Sequence, residues 1–258
     1  MSRLISGLML LFIATAAVLC FGPWYTTPAS LVLTSLFKLI GLLIASVTGF
    51  MIFSRLDSGD PQRRPWVLMA VGLLLYAGGQ LVLAIYQVFL HVRIPFPSVG
   101  DPLFVVSYPL IIGALFWFCL ISIRSGLPLG KPLVFWSPAF IVLLIFAAGA
   151  YHLLAPIVGS GDPAIEIALN IFYPVSSFIA LAPCLVMLRT GLKFRGGRLL
   201  LVWLPMSLGF AAVLISDILF AYLVTVKIAW VEHLVDFLYI SGYALIPIGT
   251  LSQANLLK

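Results

Sequence analysis

Polar residues interrupt this chain only at intervals, and the apolar stretches between them set its architecture. Eight such stretches run approximately Leu4–Phe21, Ser30–Phe53, Pro65–Leu90, Pro102–Ile123, Pro132–Leu154, Ala164–Leu188, Leu199–Val226 and Leu234–Leu257. Each approaches or exceeds the ~20 apolar residues that a helix needs to cross a bilayer. None shows the ten-residue alternation of a membrane barrel strand. Helices are then the only backbone solution in lipid. The pattern predicts an all-α integral membrane protein, one polytopic domain of eight transmembrane helices over residues 1–258.

The first stretch needs a separate argument, because Arg3 followed by an apolar run also describes a cleaved leader. Ala14-Thr15-Ala16 resembles a cleavage site, and Cys20 a lipoprotein cysteine. Leu19 is too large for the lipoprotein pattern, however, and the apolar run continues to Phe21. The expectation is a retained first helix.

Composition removes the soluble alternative. Hydrophobic types make up 63% of the 258 residues and charged types 9%. An ordinary globular chain carries about 45–50% and about 25%. Mean hydropathy is +1.20. Eight spans also leave no stretch for a soluble catalytic domain, so chemistry or binding is expected within the membrane or at its edges.

The few charges orient the helices. With the N-terminus inside, the inner connections and termini hold Arg3, Arg55, Arg63, Arg64, Arg124, Lys131, Arg189, Lys193, Arg195, Arg198 and Lys258. Only Arg93 and Lys227 fall outside, and Lys38 lies within the second span. Asp101, Asp162, Glu166, Glu232 and Asp236 lean toward the outer face. By the positive-inside rule both termini are expected to be cytoplasmic. The basic run Lys193–Arg198 reads as a topology determinant touching anionic headgroups, not as a nucleic-acid site.

Two segments resemble each other at an offset of 135: Asp101/Asp236, Leu103/Leu238, Tyr108/Tyr243, Leu110/Leu245 and Ile111/Ile246. Each follows a span with an interior polar residue, Gln80 in the third and Asp217 in the seventh. A recurrence after four helices crosses in the same direction. This predicts a 4+4 parallel repeat, with halves of approximately 1–130 and 131–258, packed face to face about an axis along the membrane normal.

Ionisable residues inside a span are functional candidates by default. Lys38 and Asp217 are expected at similar depth, where their opposite charges would pair. Gln80 and Asn170 fall nearby, with Tyr86, Tyr108, Tyr173 and Tyr243. Two readings stay open: mutual neutralisation that locks helices together, or a polar pocket open to the outside. The candidate ligand-binding set is Lys38, Gln80, Asp101, Tyr108, Asn170, Tyr173, Asp217, Asp236 and Tyr243. His91, His152 and His233 all fall at outer helix ends, but without the spacing of a helical metal site, and no metal is assigned. Cys20, Cys119 and Cys184 imply no disulfide framework. Signatures of hydrolases, zinc peptidases and phosphate-binding loops are missing, so no enzymatic activity and no particular cofactor are expected. Gly41, Ala45 and Gly49 form a small-residue stripe, and Pro109, Pro174, Pro183, Pro205 and Pro247 lie inside spans.

The segment Pro95-Phe96-Pro97-Ser98-Val99-Gly100-Asp101 followed by Tyr108-Pro109-Leu110 resembles a motif of bacterial membrane sensor regions. These polytopic regions stand N-terminal to diguanylate cyclase (GGDEF) and related signalling domains. Asn170-Ile171-Phe172-Tyr173-Pro174, Asp217 with Tyr222, and Asp236 with Tyr243 extend the likeness from the second span onward. The resemblance implies a non-enzymatic, sensor-like protein for a small or lipophilic ligand. No output domain follows the last span, so it would signal through a separate membrane or cytoplasmic partner. Capping of the fourth helix by Ser98 or Asp101 explains the same turn without a ligand. The alternatives are a small-molecule or ion transporter, and a structural or assembly subunit that docks through the small-residue stripe.

Overall fold

The computed structural model describes residues 2–25, 27–92, 94–125, 132–193, 197–226 and 229–257. Eight α-helices account for most of them, and no strand occurs among the described residues. They are α1 (Ser2–Phe21), α2 (Pro28–Arg55), α3 (Arg63–Ala84), α4 (Asp101–Arg124), α5 (Pro132–Val158), α6 (Ala164–Lys193), α7 (Arg198–Val226) and α8 (Ala229–Leu256). A π-helical turn, Ile85–Phe89, prolongs α3.

Local chemistry explains the boundaries. Thr27 caps α2 by accepting from the Ser30 amide at 3.3 Å, and Pro28 follows where a missing N–H does no harm. At the far end, Arg55 donates to the Ala254 carbonyl at 2.7 Å, tying α2 to α8. Asp101 opens α4 and accepts from the Ser98 amide and hydroxyl, which fixes the turn entering the helix.

Six helices, α2, α3 with its π turn, α4, α6, α7 and α8, are long and apolar enough to cross a membrane over their described residues. Shorter apolar stretches lie in α1 and α5, at Leu10–Phe21 and Ala139–His152. The outward surfaces are apolar as well: Val47, Phe140, Ile145 and Leu201 are all more than half exposed, at 55%, 62%, 66% and 62%. A surface of this kind is stable against lipid and not against water. The chain is a multi-pass membrane protein.

The six long helices close into a ring in the order α2, α3, α4, α6, α7, α8 and back to α2. α1 lies outside the ring against α8 and α2, and α5 lies outside it against α6 and α7. A strict pair of equivalent four-helix halves would place α5 against α4 and α6. The difference has a physical basis. α1 is held by Tyr25 and His233 in the turn after it and on α8, and by Phe12 against Phe37, whose centroids are 4.1 Å apart. α5 docks with Phe146 and Ala150 against Leu181, Leu214 and Ile218.

Close approach inside the ring depends on small residues. A Cβ on Gly41 would lie 2.5 Å from the Tyr243 carbonyl oxygen of α8, and one on Gly49 would lie 3.0 Å from Ala70 of α3. Gly41, Ala45 and Gly49 therefore face the bundle interior, and the stripe expected to dock a partner is consumed within the molecule. Two further crossings resemble each other closely. A Cβ on Gly72 would lie 2.7 Å from Ile111 Cγ1, and one on Gly209 would lie 2.8 Å from Ile246 Cγ1. Ser46 donates to the Ala70 carbonyl across α2 and α3, and Ser207 donates to the Cys184 carbonyl across α6 and α7, both at 2.9 Å.

Gly41→Ala should lower the midpoint of thermal unfolding in detergent by roughly 2–12 °C, corresponding to about 1–3 kcal/mol of overpacking. Gly113, with nothing within 4 Å of an added Cβ, should tolerate Ala or gain from it, since Ala is the better helix former. Circular dichroism melts of the two variants check this.

Candidate functional site

Three carboxylates, each at a junction between helices, organise the polar residues at the end of the bundle where α2, α4, α6 and α8 begin. Asp236 lies two turns into α8. It accepts Lys38 Nζ of α2 at 2.5 Å and the Tyr25 hydroxyl at 2.8 Å. Lys38 and Asp236 side chains are only 17% and 19% exposed, so the pair is screened little by solvent. Tyr25 belongs to the turn between α1 and α2, outside the spans. Its burial, and then the adjacent Asp236 carboxylate, raise its phenol well above the usual range. His233 stacks on Tyr25 with ring centroids 3.8 Å apart and donates from Nδ1 to the Cys20 carbonyl at 2.5 Å.

Lys38 was expected to pair with Asp217, and here the structure corrects the sequence. α2 packs on α3, α8 and α1, and α8 stands between it and α7. Similar depth put the two charges at one level without putting their helices together. The lysine instead reaches the carboxylate on the helix it touches. Its ammonium also lies 5.6 Å from the ring centroid of Tyr239, a cation–π approach.

Asp217, on α7, is 3% exposed. Its carboxylate accepts the Tyr239 hydroxyl of α8 at 2.7 Å, the Tyr108 hydroxyl of α4 at 2.9 Å and the Ser177 hydroxyl of α6. Tyr108 also approaches Tyr76 of α3 at 3.4 Å, and Tyr243 donates to Tyr76 at 3.2 Å. Among the described residues every donor to Asp217 is a neutral hydroxyl. Asp101 is held similarly: Tyr173 of α6 donates to it, joining α4 to α6. The two aspartates that recur at an offset of 135 thus close the ring at corresponding joints, α4 to α6 and α8 to α2.

Two candidates stand apart from these bonds. Gln80 is buried on α3 but outside the Asp217 network. Asn170 is 1% exposed, and neither end of its amide has a partner among the described residues. Such an orphan demands a water or a ligand atom. Asp101, Tyr108, Tyr173, Asp217, Asp236, Lys38 and Tyr243 are each drawn into a hydrogen-bonded cluster. Their polar atoms bond to neighbouring side chains, and Tyr108 and Tyr243 also line a void at the centre of the bundle. A second cavity lies at the opposite end.

Four contributors went unnoticed in the sequence: Tyr25, Tyr76, Ser177 and Tyr239. Tyr239 had a signal, since it stands three residues after Asp236 and four before Tyr243, on one helical face. Tyr76 similarly stands four before Gln80. Ser177 and Tyr25 had none, because serines are ordinary in apolar helices and Tyr25 lies in a turn. No group of three or more His, Cys, Asp or Glu side chains capable of holding a metal gathers among the described residues.

A double-mutant cycle on Lys38→Met and Asp236→Asn, measured by chemical unfolding in detergent, should give a coupling of about 1–3 kcal/mol. The cycle of Lys38→Met with Asp217→Asn should give clearly less. Asn170→Leu should leave stability unchanged or raise it, because replacing an unsatisfied buried amide by an apolar side chain removes its desolvation penalty of about 1–3 kcal/mol. A thermal melt of that variant decides the point.

Compared with protein-family models, with curated proteins and with solved structures, the chain matches none, so the site rests on its own geometry.

Proposed function

We propose that the protein is a non-enzymatic, eight-span sensor-like protein of a bacterial inner membrane, with both termini cytoplasmic. The observation that carries this reading is the setting of Asp217. One buried carboxylate takes hydroxyls from α4, α6 and α8 while sitting on α7, so four of the six ring helices meet on a single group. A change in what that carboxylate binds alters bonds to all of them at once. A bistable packed interface converts such a local change into a helix movement. The surplus of Lys and Arg at one end supports the topology. The resemblance to cyclase-linked sensor regions supports the signalling role.

The parallel repeat belongs to the same proposal, and its support is geometric. Gly72 and Gly209 make matching approaches to Ile111 and Ile246. Ser46/Ala70 and Cys184/Ser207 occupy corresponding positions with donor and acceptor exchanged. The equivalent units are then α2–α4 and α6–α8, with α1 and α5 as unlike additions.

A transporter is the second reading. The observation favouring it is a void at the centre of the ring, about 20 Å3, between Tyr108 and Tyr243. A small space at the middle of two parallel repeats is where a transported solute would sit.

Native mass spectrometry of the protein in mild detergent tests the sensor reading. A bound small molecule or a cytoplasmic output protein should accompany the wild type and be lost in Asp217→Asn, with the thermal melt of that variant showing a folded bundle. Asp217→Asn that folds and retains its companion would overturn the assignment of Asp217. Solute or proton flux in proteoliposomes that Asp217→Asn abolishes would favour transport instead.

A further inference from the structure

A cavity lies at the end of the bundle opposite the carboxylates, among the first turns of α3 and α7 and the last turns of α4, α6 and α8. Its volume is about 150 Å3, a size that holds a benzene-sized molecule. Its aromatic wall is built from Trp66 of α3, Phe118 of α4 and Trp203 of α7. Phe118 stands between the two indoles, edge-to-face with each, at centroid distances of 4.9 and 5.5 Å. Such rings are apolar surface that favours a flat ligand.

The polar part of the wall is the informative part. Gln62, Gln253 and Ser122 line the same space. All three are half-buried, and none of their side chains is hydrogen-bonded within the described protein. The Trp66 indole nitrogen is buried and also has no partner among the described residues. Two carboxamides, a hydroxyl and an indole N–H therefore remain unspent around one cavity. Buried and half-buried polar groups are usually bonded, so their convergence points to an occupant.

Its chemistry follows from theirs. A glutamine carboxamide presents a donor and an acceptor in one plane. A ligand edge carrying C=O beside N–H completes two antiparallel bonds with it. No titratable group lines the cavity among the described residues. Of the nearby basic residues, the Arg63 guanidinium lies 4.4 Å from the Phe53 ring centroid, and Arg55 bonds the Ala254 carbonyl. A charged ligand would meet no counter-ion among the described lining residues and would lose its hydration uncompensated. We infer that this cavity is a binding site for a neutral, planar, single-ring compound bearing an amide or lactam edge. It is distinct from the Asp217 cluster and independent of the sensor reading.

The test uses the full chain in lipid nanodiscs and follows 19F NMR of 4-fluorobenzamide, with fluorobenzene and 4-fluorobenzoate as isosteres lacking the amide or carrying charge. The expected result is saturable one-site binding of the amide, with both isosteres about tenfold weaker or worse. Gln253→Leu should weaken the amide about tenfold, and Ser122→Phe should abolish binding by filling the space. Asp217→Asn should leave it unchanged. Because the Gln253 side chain makes no hydrogen bond within the described protein, its variant should fold even if the larger Phe does not. Absence of saturable binding, equal binding of fluorobenzene, or indifference to Gln253→Leu would each overturn the inference.

Discussion

Asp236 sits where α8 meets α2, and it takes Lys38 and Tyr25 together, so three segments converge on one carboxylate. A charged group inside an apolar bundle is tolerated only when donors surround it, because the desolvation penalty is several kcal/mol otherwise. That requirement recurs at Asp101 and Asp217. In each case at least one donor comes from another helix, and the need to satisfy the carboxylate therefore helps specify which helices are neighbours. Apolar contact alone would not, since lipid and leucine are nearly equivalent surroundings. The joints of α2 with α8, of α4 with α6 and of α7 with its neighbours follow from where the aspartates find their hydroxyls and their single ammonium, while α3 is held by close small-residue contacts.

The two ends of the ring differ in kind. The end with the carboxylates is cross-linked by tyrosines, although the Asn170 amide there has no partner among the described residues. The opposite end holds the cavity between Trp66 and Trp203, where amides and a hydroxyl have no partner among the described residues. The proposed roles of Asp217 and of the cavity use these two ends separately.

The proposed repeat illustrates why the sequence was only partly readable. Asp101/Asp236 and Tyr108/Tyr243 share an offset of 135, but Gly72/Gly209, Gln80/Asp217 and Trp66/Trp203 share one of 137. Gln80 and Asp101 are thus separated by two more residues than Asp217 and Asp236. A search at a single offset finds the α4/α8 match and passes over the tryptophans that line the cavity. The correspondence of Ser46 with Cys184 and of Ala70 with Ser207 was hidden further, because a hydrogen bond conserves geometry while exchanging which partner is the donor.

Hydropathy determined the helices and their approximate limits, since a span must be apolar over a fixed length whatever its neighbours are. The sequence likewise singled out Lys38, Asp101, Asp217 and Asp236, because charge in such a segment is rare enough to stand out. It could not say which of them pair. Depth along a helix is a one-dimensional quantity read directly from residue number, whereas pairing depends on which helices are adjacent. Only the tertiary structure decided that α8 separates α2 from α7, giving Lys38 to Asp236 and leaving Asp217 to Tyr108, Ser177 and Tyr239. The placement of α1 and α5 outside the ring, and the cavity formed by residues far apart in the chain, depend on that same packing.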